Sequence, residues 1–275
     1  MIKKQIKKLI PRLSKKKRVV AENKEHLQKL IKKEIKKHGN GCSLNHIDTS
    51  LINDMSHLFS QSNFNGDISQ WDTSNVTDMG YLFFKCKFNG DISQWNTSRV
   101  VDMRGVFCES QFEGDISAWN VSGVKYMTAM FTKSQFNGDI SQWNTCSVVG
   151  MRYMFYQSQF NGDISGWNTS NAIDMSCLFE KSKFDRDISN WNTLKVEDMT
   201  SMFKDSSFKG NLVNWQPLSL ENINCFLDGC LAPEPYWAKI KNIKDRKNAI
   251  ETYHTKKLLE NALDKKINNK AIIKI

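Results

Sequence analysis

The side chains best suited to chemistry in this chain of 275 residues are five His, seven Cys and an Asp that returns at a fixed phase. His26, His38, His46, His57 and His254 all fall outside the complete repeats, and none stands in a nucleophile or metal-ligand spacing. Cys42, Cys86, Cys108, Cys146, Cys177, Cys225 and Cys230 form an odd set with no CxxC pair, so reduced thiols are expected rather than a disulfide frame or a tetrahedral metal site. His46 and His57 lie near Cys42, where packing and hydrogen bonding account for a few polar residues. The Asp column at 67, 91, 115, 139, 163 and 187 admits a calcium ladder or a set of turn acceptors. Calcium takes six or more oxygens, so one carboxylate per repeat favours the turn. No catalytic residue, metal or cofactor is expected, and an enzyme is not.

What must position any functional residue is the period. Phe recurs at 64, 88, 112, 136, 160, 184 and 208, and Trp at 71, 95, 119, 143, 167, 191 and 215, always 24 residues apart. A constant period of this length marks stacked supersecondary units, each unable to bury its apolar face alone. The Asp-Ile-Ser-x-Trp segment reads as a short parallel strand, and the spacing of Val76, Met79, Leu82 and Phe83 reads as a short helix started by Thr73 or Ser74. The fold class expected is α/β, a leucine-rich-repeat-like solenoid. Its structural residues are Phe64, Ile68, Trp71, Met79 and Phe83 with Trp95, Trp119, Trp143, Trp167 and Trp191. The Trp column admits an exposed stacking platform, but its single phase favours core packing. Asn96, Asn120, Asn144, Asn168 and Asn192 suggest an amide ladder. The Thr row at 49, 73, 97, 145, 169 and 193 admits a flat hydroxyl array or helix capping. Asn-Gly at 65–66, 89–90, 137–138 and 161–162 reads as a positive-φ turn.

Four regions follow: a basic arm at 1–20, an amphipathic helical cap at 21–41, the repeats at 42–230 with one partial and seven full units, and a helical cap and tail at 231–275. Within 231–275, Tyr236 to Leu263 reads as one helix with Ile240, Ile243, Ala249, Ile250, Tyr253, Leu258, Leu259 and Leu263 on one side, and the residues after it as a loose tail. The formal net charge of +10 is unevenly spread. Residues 1–40 carry 15 basic and 3 acidic side chains, net +12, whereas residues 41–230 carry 13 and 21, net −8. The basicity belongs to the ends.

The units MFxxSxFNGDISxWNTSxVxxM resemble the BspA-like leucine-rich repeat family, a bacterial family, over about residues 42–230. The resemblance implies a binding role, often at a cell surface. The N-terminus has charge but no apolar signal core, and no stretch has the roughly 18 apolar residues of a membrane span, so a cytoplasmic location is expected.

Two surfaces are candidates for binding. Positions 80, 81, 84 and 85 vary between units inside a fixed frame. They supply Tyr81, Lys85, Arg104, Arg152, Tyr153 and Tyr156 as candidate contacts for a protein partner of unknown identity and stoichiometry. The arm supplies Lys3, Lys4, Lys7, Lys8, Arg12, Lys15, Lys16, Lys17 and Arg18. These suit nucleic-acid phosphates, an anionic membrane with Ile6, Leu9, Ile10 and Leu13 inserted, or the acidic repeats themselves.

Overall fold

The computed structural model describes residues 18–272. A two-residue strand, β1 (Val19–Val20), pairs in parallel with β2 (Ile47–Asp48), and between them runs helix α1 (Lys24–His38). Asn23 caps α1 by accepting the His26 N–H at 2.9 Å, and Gly39, at φ 83°, ends it with its N–H on the Ile35 carbonyl. Leu27 and Ile31 are buried against the first repeat.

Successive 24-residue repeats then lie side by side through parallel bridges linking Asp54, Asp78, Asp102, Tyr126, Gly150, Asp174, Asp198 and Asn222 in turn. Around each bridge, alternate N–H groups reach the next repeat. Met79 donates to the Asp102 carbonyl at 3.0 Å, Tyr81 to Arg104 at 2.7 Å, Phe83 to Val106 at 3.0 Å and Lys85 to Cys108 at 2.9 Å.

This backbone departs from the expected strand and helix. Asp-Ile-Ser-x-Trp is a turn, not a strand: Asp67 accepts the Ser69 N–H at 3.0 Å, and the Trp71 N–H bonds the Ile68 carbonyl at 3.2 Å. An Asx turn offers the backbone a local alternative to a ladder. No helix forms over Val76–Phe83. The N–H groups a helix would turn inward go instead to the neighbouring repeat, and four-residue turns close Met79 to Leu82, Tyr81 to Phe84 and Phe83 to Cys86. Such a turn puts Met79 and Leu82, three apart, on one side much as a helix would, which is why the apolar spacing misleads.

The interior holds the expected set. Phe64, Ile68, Trp71, Val76, Met79, Leu82 and Phe83 are all buried, as are their periodic equivalents through Trp191. Rings stack along the array, with Phe83 5.8 Å from Phe107 and Trp71 6.4 Å from Trp95. Each repeat Trp also donates its indole N–H to a carbonyl 27 residues earlier, as Trp167 does to Ile140 at 3.0 Å. The Thr row is buried and bonds between repeats: Thr97 Oγ1 donates to the Asn120 carbonyl at 3.0 Å. It is neither a flat exposed hydroxyl array nor a helix cap. Asn-Gly is not a positive-φ turn at these positions either. Its Gly is demanded by contact: a Cβ on Gly138 would stand 2.9 Å from the ring of Phe136. Its Asn joins repeats, Asn65 Oδ1 accepting the Asn89 N–H at 2.8 Å.

After the repeats a 3-10 turn (Tyr236–Lys239) and helix α2 (Ile243–Ile272) follow, so the single helix expected from Tyr236 is broken at Ile240–Asn242, and α2 runs on through the expected tail to Ile272. Trp237 and Ile250 are buried. Leu258, Leu259 and Leu263 are exposed, so the expected apolar stripe is covered only over its first turns. No described helix is long and apolar enough to cross a membrane.

Candidate functional site

The ladder fixes which side chains face outward. In each repeat two residues take left-handed backbone conformations, Tyr81 (φ 54°) and Lys85 (φ 50°) in the first full one. Their equivalents form two columns. His57, Tyr81, Gly105, Ala129, Tyr153, Cys177, Ser201 and Cys225 make one; Gln61, Lys85, Glu109, Lys133, Gln157, Lys181, Asp205 and Gly229 make the other. Such conformations cost an L-residue about 1–2 kcal/mol and persist where surrounding bonds over-determine them. Here each N–H of both columns, up to the last repeat, is held by a carbonyl of the next repeat. The varying positions therefore sit on a backbone that does not vary.

The candidate contacts gather into clusters on this face. Toward the N-terminal end, His57 stacks on Tyr81 at 5.2 Å, Tyr81 meets Phe84 edge-on at 5.9 Å, and Lys85 lies 3.4 Å from Glu109. Gly105 makes room for the Tyr81 ring, which a Cβ there would strike. Arg104 chelates the Asp102 carboxylate, with Nε 2.8 Å from Oδ2, and its guanidinium stands 5.5 Å over Tyr126. The hydrogen bonds that Arg104 donates to the Asp102 carboxylate hold the Arg104 pKa above its ordinary value. Further along, Arg152 lies 4.9 Å over Tyr153, Tyr153 is edge-on to Tyr156 at 5.5 Å, and Gln157 Nε2 donates to the Tyr156 hydroxyl at 3.2 Å. Arg152, Tyr153 and Tyr156 thus form one patch, and Tyr81 and Lys85 a second, with Arg104 between. Sequence reasoning passed over His57, Asp102 and Tyr126 here. The signal for two of them was available: Asp102 and Tyr126 share the column of Asp78 and Gly150, which varies as the others do.

Arg and Tyr held against one another by ring contacts are the side chains enriched at protein interfaces, and their prior ordering lowers the entropy lost on contact. The same face is poor in reactive groups. Burial pushes the thiols of Cys108 and Cys177 up to about 11, far from the thiolate a nucleophile needs. His46 lies 3.6 Å from Glu34 rather than on Cys42, and no metal-holding group of three or more His, Cys, Asp or Glu occurs among the described residues. The Asp column is a set of turn acceptors, each carboxylate taking the N–H of the Ser two residues on, as Asp139 takes Ser141 at 2.9 Å. That bond lowers the Asp139 pKa. The Asn column bonds locally instead of forming an amide ladder, Asn168 Oδ1 accepting the Ser170 N–H at 3.0 Å. Of the basic arm, Lys3, Lys4, Lys7, Lys8, Arg12, Lys15, Lys16 and Lys17 lie outside the described residues; Arg18 is exposed next to β1.

No curated protein and no solved structure matches the chain. A family model does, in three overlapping stretches, residues 26–135, 84–182 and 131–236, which together span the whole array of repeats. The chain therefore belongs to the tandem-repeat family described as Mycoplasma protein of unknown function, DUF285.

Proposed function

We propose that the chain is a leucine-rich-repeat-like solenoid of the BspA-like kind, with helical caps, acting as a non-enzymatic scaffold that binds a protein partner through the face of positions 80, 81, 84 and 85. The single observation that carries this reading is the left-handed double column. A costly backbone conformation is kept in every repeat while its side chains change, so the frame is fixed and the presented surface is free to differ. Tyr153, Tyr156 and Arg152 would be its anchor, with Tyr81 and Lys85 a second contact. A second reading, favoured by the net +12 of residues 1–40, is that the arm binds nucleic acid or an anionic membrane.

The test is capture from the lysate of source cells at low and high salt, using the full chain, a chain lacking residues 1–20, and a Tyr153→Ala/Tyr156→Ala variant. The scaffold reading expects a protein retained at high salt without the arm and lost with the tyrosines, at unchanged melting temperature. Recovery of nucleic acid or lipid alone, only at low salt and only with the arm, overturns it in favour of the second reading.

A further inference from the structure

One column of the ladder loses its carboxylate in the middle of the array. Asp54, Asp78, Asp102, Asp174 and Asp198 stand at the bridge position of their repeats. Each accepts, through Oδ1, the N–H two residues further on: Ser56 at 2.8 Å, Gly80 at 2.7 Å, Arg104 at 2.9 Å, Ser176 at 2.9 Å and Thr200 at 2.7 Å. Two adjacent repeats carry Tyr126 and Gly150 there instead. The N–H groups of Thr128 and Arg152 consequently have no acceptor among the described residues.

The guanidinium beside this gap also lacks an acid. Arg104 chelates the Asp102 of its own repeat, Nε lying 2.8 Å from Oδ2. Arg152 is its equivalent two repeats on, with Gly150 where that Asp would be. Among the described residues its guanidinium has only Tyr153, the ring 4.9 Å away and the hydroxyl at 3.4 Å. The next carboxylate along, Asp174, is taken by the N–H and the hydroxyl of Ser176 at 2.9 and 2.5 Å. The gap has room for a side chain from outside: a Cβ on Gly150 would meet Thr128 Oγ1 at 3.3 Å and the Tyr126 ring at 3.9 Å, and nothing nearer. Gly150 and Thr128 are half-buried, Arg152 is exposed, and the gap is therefore shielded on one side and open on the other.

We propose that Gly150 opens a carboxylate-binding site, filled by an Asp or Glu side chain of the protein partner, whose oxygens accept from the Arg152 N–H, the Arg152 guanidinium and the Thr128 hydroxyl. The inference rests on the protein-binding reading of this face and names the chemistry the partner brings to it. The occupant is argued from the chain itself. Five repeats hold a carboxylate at this position, and Arg104 shows how a guanidinium completes its shell. Hydrogen bonds to an ionised acceptor are about twice as strong as neutral ones, and an unpaired cation on the face selects an acidic partner over a basic one.

Gly150→Asp supplies the carboxylate from within and so closes the site. The φ of Gly150 is unexceptional, and the variant is expected to melt at or above the native temperature because it restores the bond of the other repeats. N-acetyl-aspartate N-methylamide, titrated into the isotope-labelled full chain, is expected to shift the amide resonances of Arg152 and Thr128 saturably, and N-acetyl-asparagine N-methylamide to leave them in place. Gly150→Asp and Arg152→Gln are each expected to weaken binding by about tenfold or more. An Arg152 amide unmoved by the Asp compound, equal shifts from the Asn compound, or undiminished binding in Gly150→Asp overturns the proposal. So does tighter binding of inorganic phosphate at the same amides. In lysate capture, a partner lost with Tyr153→Ala/Tyr156→Ala but retained by Gly150→Asp removes the carboxylate site and leaves the scaffold standing. Saturable binding of the Asp compound with no protein captured does the reverse.

Discussion

Ala129→Gly separates two accounts of this backbone by the sign of its effect. In an ordinary helix or strand, glycine in place of alanine lowers stability by about 0.5–1 kcal/mol through chain entropy. Ala129, however, sits at φ 57° in a column that also accepts glycine, at Gly105. Releasing an L-residue from that conformation returns about 1–2 kcal/mol, so the two effects leave a net gain of about 0.5 kcal/mol. Ser201, three repeats further along at φ 53°, should add independently, bringing the double variant to about 1 kcal/mol. The opposite exchange at Gly138 must go the other way. There the φ is unexceptional, and the new Cβ meets the Phe136 ring at 2.9 Å, an overpacking that costs about 1–3 kcal/mol. Urea unfolding of the full chain, followed by far-ultraviolet circular dichroism, reads both at matched m-values. Loss of stability in Ala129→Gly would refute the left-handed columns, and a neutral Gly138→Ala would refute the ring contact as the reason for that glycine.

Trp167→Phe keeps a ring between Trp143 and Trp191 but leaves the Ile140 carbonyl without its donor; a cost of about 2–4 kcal/mol is expected from the unsatisfied group and the lost volume together, and less than 0.5 kcal/mol in urea unfolding would show that the indole bond is dispensable. Acid should weaken the array. The Ser N–H bonds depress the pKa values of Asp91, Asp115, Asp139, Asp163 and Asp187 below the unfolded value, so their contribution is present above the usual carboxylate range and is lost as pH falls through the lowered one. Melting temperature followed from pH 6 downward should fall, and Asp139→Asn, which keeps the Oδ1 acceptor, should flatten that fall; a melting temperature that rises on acidification would contradict it.

The interior was legible because it is written in side-chain identity. Phe64, Trp71 and Met79 are selected by the volume they fill, and that volume is the same in every repeat, so the period alone locates them. The backbone was not legible, because residue type at the two left-handed columns carries almost no trace of conformation. His57, Lys85, Glu109, Tyr153 and Lys181 share positive φ but no chemical property that favours it; only Gly105 and Gly229 hint at it. What imposes the conformation is the carbonyl offered by the adjacent repeat, a partner 23 residues away in the chain, and local propensity has no access to it. The helix read from Val76, Met79, Leu82 and Phe83 failed for that reason: inter-repeat bonds took the donors a helix needs. The same physics supports the proposed role of this face in recognition. Because backbone geometry there is dictated by neighbouring main chain and not by the resident side chain, exchanging Tyr153 for Cys177 or Ala129 one repeat away leaves the frame intact. A surface that tolerates exchange without refolding is one on which binding contacts can be gained or lost singly, and the Tyr153–Tyr156 pair is where the ordered aromatic area for such a contact is concentrated.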